Sequence, residues 1–273
     1  MVLLHAAAQQ SNEDVQLIVA HVDHGIRPDS GRDAELVRQA AKELGLRYEQ
    51  KTSALGETTS EETARRVRYD FLWELAQRYD ARIVTAHHAD DVVETIAINL
   101  IRGTGWRGLA GLRSDRISRP FLAYLKVDII EYARENHLHW HEDSTNTNSK
   151  YLRNTVRHQL RAFSAESKRQ ILELHGRQTI LKQRIEAEAT RLVSATKVGS
   201  SEYQRHLFIM ADTPTAMELL RSVTLGEFGY SFTRPQLLRA LQAIKVFRSG
   251  TTFELGATAQ LVFTTATFIV RRS

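Results

Sequence analysis

The 273-residue chain contains no cysteine. For these residues that excludes disulfides, thiolate zinc sites, iron–sulfur clusters and cysteine nucleophiles. It is compatible with a cytosol but does not by itself fix the compartment. No apolar run approaches the roughly 20 residues needed to cross a bilayer, so no membrane partner is expected. The amino terminus, MVLLHAAAQQ, has a short apolar start with no basic region ahead of it and makes a poor signal peptide. Internal repeats and low-complexity segments are also lacking. Lysine is scarce: only eight of the 37 basic residues are lysine, and the rest are arginine.

What is present is ordinary globular material, 42% hydrophobic and 25% charged, with a formal net charge of +5. The length suits one large domain or two modest ones. Arginine presents a planar fork of donors that fits phosphate, which favours a nucleotide or nucleic-acid partner. A solvated arginine-rich surface is the competing reading, and charge alone leaves both open.

The first half alternates strand and helix patterns. Residues 16–22 (QLIVAHV) form a continuous apolar run, as expected of a strand buried on both faces. Ala34, Val37, Ala41 and Leu44 then recur at helical steps over residues 30–45, and Gly45 is placed to stop that helix. A short strand is expected near 47–51, a helix over 60–79 with Phe71, Leu72, Leu75 and Ala76 on its apolar face, and a strand over 82–86 (RIVTA). A helix from about Asp90 to Arg102 follows, carrying Val92, Ile96 and Leu100 in one row. Such alternation predicts an α/β fold with a parallel sheet wrapped by helices. After about residue 163 the pattern changes. Residues 165–196 read as a long charged helix, 213–228 and 233–243 as further helices, and the threonine-, valine- and phenylalanine-rich end as two or three short strands. The predicted domains are therefore 1–163 (α/β) and 164–273 (smaller, mixed helix and strand).

Parallel sheets bind ligands at the carboxyl ends of their strands, where loops diverge and helix N-termini point at the cleft. Two predicted strands end in polar clusters. The first is residues 21–27 (HVDHGIR); the second is His87, His88, Ala89, Asp90 and Asp91, followed by Glu94. On a helix Asp90 and Glu94 share a face, with Asp91 beside them. Three carboxylates so close repel one another unless a cation sits among them, whether Mg²⁺, an ammonium or an arginine. The plainer reading makes Asp90 a helix cap and the others surface acids near the positive helix end; a second cluster at another strand end weighs against it. Histidines and aspartates also suggest a metal-dependent phosphoesterase, but that chemistry needs an aspartate-rich strand end near the amino terminus, and none is present. The glycines of residues 102–112 (RGTGWRGLAGL) follow a helix rather than precede one, so they suit a chain reversal better than a phosphate loop. Arg153 and Arg157 are four apart and point the same way, towards a phosphate or into solvent.

Taken together, residues 21–27 (HVDHGIR), 61–72 (EETARRVRYDFL), 86–112 (AHHADDVVETIAINLIRGTGWRGLAGL), 119–122 (RPFL) and 139–154 (HWHEDSTNTNSKYLRN) resemble the tRNA(Ile)-lysidine synthases of the PP-loop ATPase group, in order and in spacing. The resemblance covers residues 1 to about 160, and the carboxyl-terminal strands resemble the end of the family's second, tRNA-contacting domain. It implies a PP-loop ATPase (adenine nucleotide alpha hydrolase-like) fold in a cytoplasmic ligase. ATP with Mg²⁺ adenylates the C2 oxygen of the wobble cytidine of a tRNA(Ile) with a CAU anticodon. The ε-amine of free L-lysine then displaces AMP to give lysidine.

On this resemblance Asp91, Glu94 and Arg157 are the catalytic candidates, with an acid taking the proton from the incoming amine. His21, Asp23, His24, Arg65 and Arg68 are assigned to ATP, and His88, Asp90, Arg102 and Arg153 to the other substrates. A homodimer is compatible with it. The family also carries a Ser-Gly-Gly-x-Asp-Ser loop after its first strand, binding pyrophosphate at a helix start. Met1 to His5 resembles the helix that follows this loop, so the first strand and the loop are missing from the chain. An internal methionine of a longer frame explains this better than a degenerate protein, and residues 1–273 alone are expected to show weak or no ATP-dependent turnover. A tRNA thiolase of the same group is disfavoured by the lack of cysteine. A non-catalytic tRNA-binding relative is the alternative from another class.

Overall fold

In the structure, a computed structural model describing residues 1–11, 14–25, 30–53, 56, 59, 61–112, 116–141 and 152–273, helix α1 (Val2–Gln10) leads into strand β1 (Ile18–Asp23). Helix α2 (Ser30–Glu43) carries the chain back to β2 (Arg47–Thr52), which pairs parallel to β1 with Ile18 opposite Arg47 and Asp23 opposite Thr52. Gly45, at φ +66°, permits the reversal after α2. Leu44 lies in that turn, past the last helical residue, and is exposed rather than part of the apolar face; Ala34 and Ala41 are the buried positions.

Helix α3 (Glu61–Arg78) buries Phe71 and Leu75, and β3 (Ile83–Val84) follows. The strand expected over 82–86 is only these two residues, paired parallel to the equally short β4 (Ile117–Ser118), which has no apolar run to announce it. Between them lie α4 (Ala89–Ile101) and a 3-10 turn over Trp106–Ala110, reached through Gly103 and Gly105 at φ +64° and +70°. Ala89, Val92, Val93 and Ile96 face the core, whereas Leu100, the third member of the expected apolar row, is 61% exposed because α4 runs out past the core in its last turn.

The expected α/β architecture is present, but its parallel sheet is two pairs, β1–β2 and β3–β4, with no ladder joining them among the described residues. Accordingly β1, expected to be buried on both faces, is half-buried along its whole length. A 3-10 turn over Pro120–Ala123, α5 (Lys126–Glu135) and α6 (Leu152–Leu160) complete the part of the unit that precedes α7 (Ala165–Thr196).

The chain divides into two compact units, Met1–Gly176 and Arg177–Ser273, with the boundary inside α7. In the second unit, β5 (Glu202–Gln204), α8 (His206–Met210), α9 (Thr213–Phe228) and α10 (Arg234–Val246) precede the meander β6 (Thr252–Leu255), β7 (Ala259–Phe263) and β8 (Thr267–Arg272). The antiparallel sheet has the order β5-β8-β7-β6. Alternation in β7 and β8 sends Leu261, Phe263 and Phe268 into a core shared with Leu219, Leu220, Leu237 and Ile244. No helix among the described residues is long and apolar enough to cross a membrane.

Candidate active site

Helix α4 begins where β3 ends, so its first turn projects into the space beyond the strand. His88 is its N-cap and donates its backbone N–H to Asp91 Oδ2 at 2.9 Å. The neighbouring elements anchor the same turn: Ala89 N–H donates to the carbonyl of Tyr124, and Lys126 N–H, opening α5, donates to Asp90 Oδ2 at 2.7 Å.

The cations required by three clustered acids are side chains of the chain itself. Glu94, only 3% exposed, accepts from Arg157 through Nε at 2.6 Å and Nη2 at 3.0 Å, and from Arg153 Nε at 3.1 Å. Arg153 also reaches Asp91 Oδ1 at 3.7 Å. Asp90 Oδ1 accepts from Lys168 Nζ at 2.7 Å. Burial pushes the Asp90 carboxyl up, but the Lys168 and Lys126 hydrogen bonds outweigh it and hold the group below the usual aspartate value. The imidazole of His88 stands between two acids, Nδ1 at 3.7 Å from Asp90 and Nε2 at 3.6 Å from Asp91. Its Nδ1 is buried with no hydrogen-bond partner. His88, Asp90, Glu94, Arg157 and Lys168 line one open cleft of about 1340 Å³.

The end of β1 supplies a second group. Asp23 Oδ1 accepts from Gly25 N–H at 3.0 Å. His21 and His24 are both shifted below the ordinary histidine value, by burial first and by the Arg68 guanidinium among the charges near them. Both ring nitrogens of His24 are buried without a partner. Arg68 on α3 therefore stands near the β1 end. One turn away, Arg65 stacks on Tyr69 at 4.6 Å and helps depress His87. That histidine follows β3 and lies at about 4, lowered chiefly by burial and then by Arg119, Arg65 and Arg153 against the opposing pull of Asp91. A single stretch of α3 thus serves both strand ends. His141 makes a further link, meeting Asp33 of α2 at 2.9 Å while lining the cleft; Asp33 in turn acts on His21.

One of the sequence candidates falls outside this assembly. Arg102 is the C-cap of α4, at the opposite end of a 13-residue helix and so roughly 12–18 Å along the axis from the acids; the structure does not bring it to the cleft. Arg27 lies outside the described residues. Conversely, Lys168, His141 and Arg119 belong to the surroundings of the site without having been given a role from the sequence, and His87 was read only as a member of the second polar cluster. Lys168 carried no local signal.

With this geometry in place, the profile of the PP-loop domain family matches residues 1–163. The chain belongs to the PP-loop family. This PP-loop protein is 40% identical over 173 residues to the tRNA(Ile)-lysidine synthase of Exiguobacterium sibiricum, covering 61% of the chain and 41% of that relative. It is 40% identical over 157 residues to the synthase of Thermotoga maritima, covering 54% and 37%, and 37% identical over 171 residues to that of Chlorobaculum tepidum, covering 59% and 52%. The matched stretch spans about two fifths to one half of these curated relatives. Among solved structures, the U34-tRNA thiolase NcsA from Methanococcus maripaludis with its [4Fe-4S] cluster superposes with a TM-score of 0.53 at 18% identity, over 64% of this chain and 65% of that one. At that identity the likeness concerns the fold alone.

Proposed function

We propose that this PP-loop protein serves the ATP-dependent ligation of free L-lysine to C2 of the wobble cytidine of a tRNA(Ile) with a CAU anticodon, in the cytosol. The observation that carries the reading is the acidic first turn of α4 in the cleft, where Asp90 already accepts an ammonium at 2.7 Å. The PP-loop domain match over residues 1–163 spans the segment that builds this turn.

The residues of the β1 end fit an adenine nucleotide, since His24 presents two buried ring nitrogens with no partner and α3 brings Arg68 beside it, with Arg65 one turn away on the same helix. His21, Asp23 and His24 would face the nucleoside, and the two arginines its phosphates. When bound, ATP supplies the group that turns the C2 oxygen of the base into a leaving group. Mg²⁺ enters as the counter-ion of the nucleotide, because no group of three His, Asp or Glu side chains among the described residues converges to hold a metal.

The three acids then divide their work. Glu94 is buried and gripped by two guanidiniums, so it acts by fixing Arg157 at the cleft and Arg153 beside Asp91 rather than by taking a proton. Asp91 accepts one backbone hydrogen bond and holds Arg153 only at 3.7 Å, which leaves lone pairs for the substrate amine. It is the proton acceptor in this reading.

The test is labelled-lysine incorporation and lysine-dependent AMP release with a CAU-anticodon tRNA(Ile) transcript, scored against Asp91→Asn so that slow turnover still registers. Loss of about 100-fold or more in the variant is expected. Equal rates in both proteins, or AMP release that ignores lysine, would sink the assignment.

A further inference from the structure

Beside the proposed proton acceptor Asp91, Asp90 is already paired with an amine of the protein. Lys168, in the first turn of α7, donates to Asp90 Oδ1 at 2.7 Å, and both residues line the cleft with His88, Glu94 and Arg157. Within this cluster three carboxylates, Asp90, Asp91 and Glu94, face three cations, Lys168, Arg153 and Arg157. An arriving ammonium adds a charge in half-buried surroundings, where an unmatched ion is costly. One resident cation must therefore withdraw.

The guanidiniums are poorly suited to leave. Arg157 grips a buried carboxylate through two nitrogens, and Arg153 reaches two acids. Lys168 holds one oxygen of one acid, at the end of a flexible stem, and its replacement by another ammonium conserves both charge and hydrogen-bond type. The second Asp90 oxygen stays fixed by the Lys126 N–H, so the seat keeps its shape through the exchange.

We propose that Lys168 is a positioning and selectivity residue for the amine substrate: it occupies the Asp90 seat until the ε-ammonium of free lysine displaces it. The proposal rests on the lysine-transfer reading, because it presupposes an amine substrate. The exchange also favours a ligand bearing a terminal ammonium on a chain of lysine's length, since such a ligand restores what it removes.

The experiment is calorimetric binding of L-lysine, with L-norleucine as the amine-free control, to the full chain without ATP or tRNA. Lys168→Met is expected to bind lysine about tenfold tighter than wild type, with no gain for norleucine. Lys168→Arg, which can grip Asp90 through two nitrogens, is expected to bind several-fold more weakly, and Lys168→Gln should fall between Met and wild type. In turnover, the KM for lysine should drop in Lys168→Met with a much smaller change in kcat. A merely structural ion pair would instead lower the melting temperature and leave lysine affinity equal or weaker. If wild type binds lysine and Lys168→Met binds it no better, displacement is overturned while the lysine reading stands. If neither binds lysine, the seat and that reading fall together. Binding by Lys168→Met alone is the displacement model in its strongest form.

Discussion

Glu94 is a carboxylate placed where water scarcely reaches, and two guanidiniums replace the lost hydration. Removing one member of such a group leaves the others charged and desolvated, which costs about 3 kcal/mol or more. Glu94→Gln should therefore lower the urea midpoint clearly, and Asp90→Asn, whose 18% exposed carboxylate faces the single cation Lys168, should lower it less. Equal losses in the two variants would show that burial does not set the scale here. His87 makes a separate claim about pH. Its folded value near 4 lies below the model-peptide value of 6.5, so the unfolded chain binds the extra proton first. Stability from neutral His87 is complete above about pH 6.5, declines as pH falls towards 4, and changes no further below that. Because part of the ring is open to solvent, the loss across the window stays below the roughly 3 kcal/mol of an unscreened group. His87→Asn should flatten this part of the stability–pH curve, and an unchanged slope between pH 6.5 and 4 would count against the neutral imidazole.

At the scale of elements, the 3-10 turn after α4 depends on a missing side chain. A Cβ on Gly108 would stand 2.0 Å from Thr104 Oγ1 and 2.9 Å from Asn99 Cβ, while Asn99 Nδ2 holds the Gly108 carbonyl at 3.0 Å. Gly108→Ala should cost about 1–3 kcal/mol by overpacking, and adding Thr104→Ala should recover part of it in a two-variant unfolding cycle. In the second unit, Arg205 plays the opposite part. Its buried guanidinium donates to the carbonyls of Ile244, Phe247 and Thr264, closing the end of α10 against the β7–β8 turn. Arg205→Leu strands three acceptors, and a fall of more than about 3 kcal/mol in chemical denaturation is expected. The helices were legible in the sequence because apolar spacing is a local property; α2, α3, α4 and α9 begin and end within a few residues of the expected positions. The two residues of β4 and the three of β5 were not, because their extended state comes from a partner strand rather than from their own run, whereas β3 was placed by its apolar run but not in its length. Leu44 and Leu100 matched the helical period but lie beyond the reach of the core. The same distinction divides the site. Asp90, Asp91 and Glu94 stand together in one string, whereas Lys168 meets Asp90 across 78 residues, a pairing that no local pattern encodes.

The whole molecule carries a formal charge of +5, most of it on arginine, and the proposed substrates place two different demands on that charge. A tRNA meets the surface through phosphates, and each neutralised phosphate releases counter-ions. The logarithm of the binding constant should then fall with the logarithm of salt by about 0.7–0.9 for each contact. Four or five such contacts give a loss of about two orders of magnitude between 50 and 200 mM salt. Free lysine meets Asp90 in a half-buried cleft where opposing charges lie about 3 Å apart, well inside the roughly 8–10 Å screening length, and it exchanges one ammonium for another. Its affinity should change by less than about threefold over the same range. Filter binding of a tRNA(Ile) transcript and calorimetry of L-lysine, run on one preparation at matched salt, measure both slopes. A flat tRNA response would mean that the arginine-rich surface does not meet phosphate. A steep lysine response would move the amine out of the cleft and onto the exposed surface, where screening by salt is strongest.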